Sequence, residues 1–103
     1  MEIKKDQIYT FKLNSGEELV AKVVDIDSDH CGSYYMIDHP VSIAPAENGV
    51  QMIPSAFTLN LEKTGRLNTN SITMVFETNP EVESNYRTAT SGIITPEKKI
   101  LKG

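Results

Sequence analysis

The residues best equipped for chemistry fall in two polar stretches of the chain. Asp25, Asp27 and Asp29 alternate, a spacing that begins like the first three ligands of a calcium loop. The sixth position of that loop would be His30, where the sharp turn needs glycine, and the twelfth would be Met36, where a bidentate glutamate is needed. A solvated acidic end to a strand accounts for the three aspartates better than a metal site does. His30 and Cys31 are the one adjacent pairing of a base with a nucleophile. Nucleophilic catalysis also needs a group that orients the base and donors for the developing oxyanion, and no such residues can be assigned. The six glycines are scattered, so no phosphate-cradling loop is present. Neither an enzyme nor a bound cofactor is expected from these patterns.

The remaining candidates suit binding. Tyr34 and Tyr35 are consecutive, so in an extended segment one ring leaves the core face and can stack on a nucleotide base beside His30, an interaction of about 1–3 kcal/mol. Packing beneath a neighbouring loop is the commoner use of such a ring. Arg66 is an isolated positive charge in a polar segment, whose ordinary role is solvation.

These residues must be positioned by a mainly β chain. Residues 7–13, QIYTFKL, alternate, with Tyr9, Phe11 and Leu13 on one face and Ile8, Thr10 and Lys12 on the other. Asn14-Ser15-Gly16 supplies a turn, and residues 18–26 return as a second strand with apolar residues on both faces, as expected for a strand bent around a core or covered on two sides. Residues 27–33 read as a polar surface loop. In residues 34–44, Tyr35, Ile37, Val41 and Ile43 share a parity, and Pro40 marks a break or bend near His39-Pro40. Asn48-Gly49 then signals a hairpin into residues 50–61, where Ile53, Phe57, Leu59 and Leu61 share a parity and Pro54 forces an irregularity. Residues 62–70 read as a polar connection and residues 71–78 as a fifth strand with Ile72, Met74 and Phe76 on one face.

The period then changes. Either Thr78 or Asn79 can cap a short C-terminal helix with Pro80 in its first turn, Val82, Tyr86 and Ala89 at helical intervals, and Gly92 placed to end it. The last residues, from Ile94 onward, carry Lys98, Lys99 and Lys102 and read as a mobile tail or a final extension. The expected fold is thus mainly β, a five-stranded, strongly bent antiparallel sheet or small open barrel, as a single domain with its core in residues 7–78.

Composition limits the partners. The chain has 103 residues, ten Lys plus Arg against fourteen Asp plus Glu, and a net charge of −4. That size suits one core, and the acidic balance excludes coating a nucleic acid through bulk positive charge. A single cysteine excludes an intramolecular disulfide framework. No apolar run approaches the roughly 18–20 residues of a membrane span, and the first twenty residues hold no signal-like stretch, so no membrane partner is expected.

Two segments carry a resemblance to a family. FKLNSGEELVAKVVDIDSD places Phe11 and Leu13 before Gly16, then Val20, Val24 and Asp25, and LNTNSITMVF places Asn70 before the strand that starts at Ile72. Over residues 7–78 the chain resembles divergent, phage-type Sm-like proteins. The resemblance implies a bent five-stranded barrel and a homo-oligomeric ring of five to seven subunits, in which residues 50–61 of one copy pair with residues 71–77 of the next. It also implies single-stranded, uridine-rich RNA as a ligand, with His30, Tyr34, Arg66, Asn68 and Asn70 as the candidate contacts, and a location in the cytoplasm, a host cell's if the protein is viral. The chain departs from the family pattern at the pore. Asp29 replaces the loop asparagine, Asp27 takes the stacking position, Asn68-Thr69 replaces Arg-Gly, and MEIKKD leaves no room for an N-terminal helix. An acidic lining repels phosphate, so the alternative function is a structural or adaptor protein making protein contacts, as in virus assembly.

Overall fold

The computed structural model describes residues 1–29, 32–56 and 58–94. They form one open antiparallel sheet of six strands, β1 (Gln7–Leu13), β2 (Glu18–Asp29), β3 (Gly32–Ala46), β4 (Gly49–Pro54), β5 (Gly65–Asn68) and β6 (Ile72–Glu77), followed by helix α1 (Pro80–Ile94). The strand order is β4-β3-β2-β1-β6, and β5 lies beside the first half of β3. No described helix is long and apolar enough to cross a membrane.

The mainly β class, the tight first hairpin and the C-terminal helix agree with the sequence, but the strand count is six. Gly65–Asn68 falls within the segment expected to be a polar connection. Its single apolar side chain, Leu67, is buried opposite Tyr35, and that one anchor pairs the strand with Ile37, Met36, Tyr35 and Tyr34. One apolar residue in four carries no readable period. The loop expected over 27–33 is also shorter, because Asp27 and Ser28 still pair with Tyr34 and Ser33.

Each face of the sheet carries a buried cluster. Tyr9, Phe11, Leu19, Ala21, Val23, Ile37 and Leu67 fill one side, where Phe11 is completely buried. Ile8 and Val20 point the other way and are covered by Tyr86 of α1, with Val41, Ile43, Met52 and Val82 around them. The apolar residues on both faces of β2 therefore reflect two-sided cover. Burying each such side chain is worth about 1.5–3 kcal/mol.

Three register shifts decide which residues face which side, and one of them, with Val24 as the extra residue between the Val23–Ile37 and Asp25–Met36 pairs, turns Asp25 and Asp27 off the face of Val23. Val20 pairs with Val41 and Lys22 with Asp38, so Ala21 alone stands opposite both His39 and Pro40. His39 takes a left-handed φ of 49° to accommodate the extra residue. The insertion inverts the alternation, which is why Tyr35 and Ile37 enter the Phe11 core while Val41 and Ile43 lie under the helix, although all four share a parity in sequence. A further shift opposite Lys12 and Leu13 leaves Thr73 unpaired. Ile72 and Val75 consequently pack inward, whereas Met74 and Phe76, expected on the same face as Ile72, are exposed.

β4 stops at Pro54, where the chain leaves the ladder after Ser55 donates its backbone N–H to the Pro40 carbonyl at 3.3 Å. The strand expected to run to Leu61 is thus six residues long. Its buried contact comes from Met52, while Ile53 and Leu61 are exposed and Phe57 lies outside the described residues. Asn79, rather than Thr78, caps α1, its side-chain oxygen accepting the Glu81 N–H at 2.8 Å and the Val82 N–H at 3.4 Å. The helix continues through Gly92 to Ile94.

Candidate nucleic-acid interface

The sheet register assembles the site. Asp27 pairs with Tyr34 and Tyr34 with Asn68, which makes one row across β2, β3 and β5. Asp25, Met36 and Arg66 make the next row. Directly paired residues share a face, so these six side chains belong to one surface, opposite the core face that takes Tyr35 and Leu67. Arg66 is the diagonal neighbour of Tyr34, and its guanidinium lies 3.5 Å from the centre of the Tyr34 ring. A cation over an aromatic face at such a site contributes about 0.5–1 kcal/mol and holds both planar groups in one orientation. The Tyr34 hydroxyl donates to an Asp27 carboxylate oxygen at 3.4 Å.

Asn68 ends β5 and Asn70 lies on the 3-10 turn, Thr69–Ser71, that joins β5 to β6. The Thr69 hydroxyl donates to the Ser33 carbonyl at 3.1 Å, and the Ser71 hydroxyl to the Asn68 carbonyl at 2.7 Å. Asn14, in the first hairpin turn, donates its side-chain amide to the Asn70 carbonyl at 2.8 Å and accepts from the Thr73 hydroxyl at 2.5 Å. Asn14 therefore ties the first hairpin to the turn that presents Asn68 and Asn70. This positioning role is invisible in the sequence, where Asn14 reads only as a turn former.

Tyr34, Arg66, Asn68 and Asn70 thus come together from two separated segments, while His30 and Cys31 lie outside the described residues. The acidic groups of the same surface are partly matched. Asp25 accepts the Ile26 backbone N–H at 2.8 Å and meets the Lys5 ammonium at 3.3 Å. That hydrogen bond first, and Lys5 second, hold its carboxyl below the usual value. Asp27 and Arg66 remain as the opposed charges around the Tyr34 ring. The arrangement offers a planar stacking surface, amide groups and one carboxylate acceptor, a set that addresses the edges of an unpaired base more readily than a run of phosphates. Among the described residues, no three His, Cys, Asp or Glu side chains stand close enough to hold a metal ion.

His39, the other histidine, is half-buried in the middle of β3. It sits within the β3 bulge, and its carbonyl, with that of Asp38, accepts the Tyr86 hydroxyl at 2.8 and 2.9 Å.

Comparison with protein families and with curated proteins finds no matching family model and no matching protein.

Proposed function

We propose that the protein is a non-catalytic, Sm-like assembly unit that forms a homo-oligomeric ring by pairing the β4 edge of one copy with the β6 edge of the next. The observation that carries this reading is the state of the two outer strands. Val50 and Ile53 on β4 and Met74 and Phe76 on β6 are 41–53% exposed, at the two ends of the strand order. Monomeric sheet proteins blunt such edges with charges, yet β4 carries no charged residue and β6 only Glu77. Pairing the edges satisfies their backbone groups and buries these side chains, and a head-to-tail contact repeated by rotation closes a ring. The Tyr34–Arg66 surface is the contact for single-stranded RNA in this reading, with Asn68 and Asn70 beside it.

Light scattering tests the assembly. A mass several times the 11.4 kDa of the chain is expected, and a strict monomer at micromolar concentration overturns the ring. Titration with uridine-rich and adenine-rich oligomers at two salt concentrations tests the ligand, because phosphate contacts make affinity salt-dependent. Asp25 and Asp27 on the same surface as Arg66 favour a second reading, a protein-binding adaptor. Assembly without affinity for either oligomer selects it.

A further inference from the structure

Asn48-Gly49 has chemistry of its own, independent of assembly. The hairpin between β3 and β4 holds two residues, Glu47 and Asn48, between the paired Ala46 and Gly49. Neither has a positive φ. Gly49 takes it instead, at 135°, with open space where a Cβ would be. Glu47, Asn48 and Gly49 are all exposed. Of the seven asparagines, Asn48 is the one followed by glycine. The others are less suited. The side chains of Asn14, Asn60 and Asn79 are held in hydrogen bonds, and the residue after Asn79 is a proline, which has no amide hydrogen to give up.

We propose that Asn48 is a site of spontaneous deamidation that converts the β3–β4 hairpin into a loosened form. The Gly49 backbone nitrogen attacks the Asn48 side-chain carbonyl carbon, and a five-membered succinimide forms as the bond to Nδ2 breaks. Ammonia leaves, taking up the proton from the Gly49 nitrogen. Water then adds to either ring carbonyl and opens the ring, leaving aspartate or isoaspartate. Glycine favours the step because no side chain shields its nitrogen and its backbone is unrestricted. Isoaspartate adds one methylene to the main chain. That insertion lies directly before the Gly49–Ala46 and Val50–Pro45 pairs, whose register depends on the length of the turn.

The test is incubation of the full chain in mildly alkaline buffer, followed by peptide mass mapping and enzymatic methylation of isoaspartate. The expected product is heavier by about 1 Da, the change from an amide to an acid, and maps to Asn48. It is absent from Asn48→Gln, whose longer side chain keeps the hairpin but cannot form the five-membered ring. Hydrogen exchange at Val50 and Met52 should be faster in the isoaspartate fraction than in Asn48→Asp, which carries the same charge on a normal backbone. The proposal is overturned by the absence of the mass gain at Asn48, by a gain spread evenly over the other asparagines, or by unchanged exchange in the isoaspartate fraction.

Discussion

Replacing Tyr86 by phenylalanine removes one oxygen atom and tests how the helix holds the bend in β3. Tyr86 is 2% exposed, and its hydroxyl is shared between the carbonyls of Asp38 and His39 at 2.9 and 2.8 Å. Both carbonyls belong to the bulge, where Ala21 alone faces two residues, so the ladder to β2 has fewer donors than acceptors at that point. Phenylalanine retains the packing against Ile8 and Val20 and deletes the donor. A buried acceptor left without a partner costs about 1–3 kcal/mol. For a chain of this length that lowers Tm by roughly 4–24 °C, at 4–8 °C per kcal/mol. Urea unfolding followed by circular dichroism should show a lower midpoint with an unchanged slope, since the surface exposed on unfolding is the same. A loss below about 0.5 kcal/mol would refute the reasoning. It would mean that the bulge carbonyls find donors elsewhere and that Tyr86 acts through its ring alone.

Three further outcomes follow from the same geometry. Burial pushes the Tyr86 phenol from 10.0 up to about 12, opposed by a hydrogen bond from the Lys22 backbone N–H and by the Arg87 charge and reinforced by the Asp38 charge. The folded state therefore favours the protonated phenol, and its contribution to stability is complete below pH 10 and lost as pH rises towards 12, which alkaline unfolding of the parent against Tyr86→Phe will show. Phe76→Lys places a charge on an edge strand at a half-exposed position, so the monomer should remain folded by circular dichroism while the scattering mass falls towards 11.4 kDa. Arg66→Ala removes the cation over Tyr34, and oligonucleotide affinity measured by fluorescence anisotropy should fall roughly tenfold, or 1.4 kcal/mol, with a shallower salt dependence.

Much of this fold is legible in the sequence because its strands are amphipathic over several residues and its turns carry Asn, Ser and Gly. Residues 7–13, the Gly16 turn and the break at His39-Pro40 can all be read that way. What escapes is set by single residues acting through tertiary contacts. Leu67 alone commits β5 to the sheet, and the bulges opposite Ala21 and at Thr73 each invert the meaning of parity beyond them. An alternation rule correctly applied on both sides of a bulge assigns one side to the wrong face. The site shows the same division. Tyr34 and Arg66 stand out as an aromatic ring and a lone cation, but their contact is created by a pairing between segments some thirty residues apart, and the supporting role of Asn14 has no local signature.

The bulge in β3 also separates the two pairings that this strand makes along one edge. Before the bulge, β3 pairs with β5 and presents Tyr34 beside Arg66; after it, β3 pairs with β4 and supports one of the unprotected edges. Tyr34 projects away from the core that receives Tyr35 by ordinary alternation, and because the bulge inverts that alternation Val41 and Ile43 beyond it lie on the Tyr34 face, under α1. The helix follows β6, the other edge, after only Thr78 and Asn79, and reaches back through Tyr86 to the bulge itself. One strand and one helix thus connect the two outer strands of the sheet to the Tyr34–Arg66 surface. Substitutions at Phe76 should accordingly change mass without disturbing the Tyr34–Arg66 pair, and substitutions at Arg66 should change binding without changing mass. Tyr86→Phe, which loosens the bulge between the two halves of β3, is the substitution expected to change both mass and binding in the same two assays.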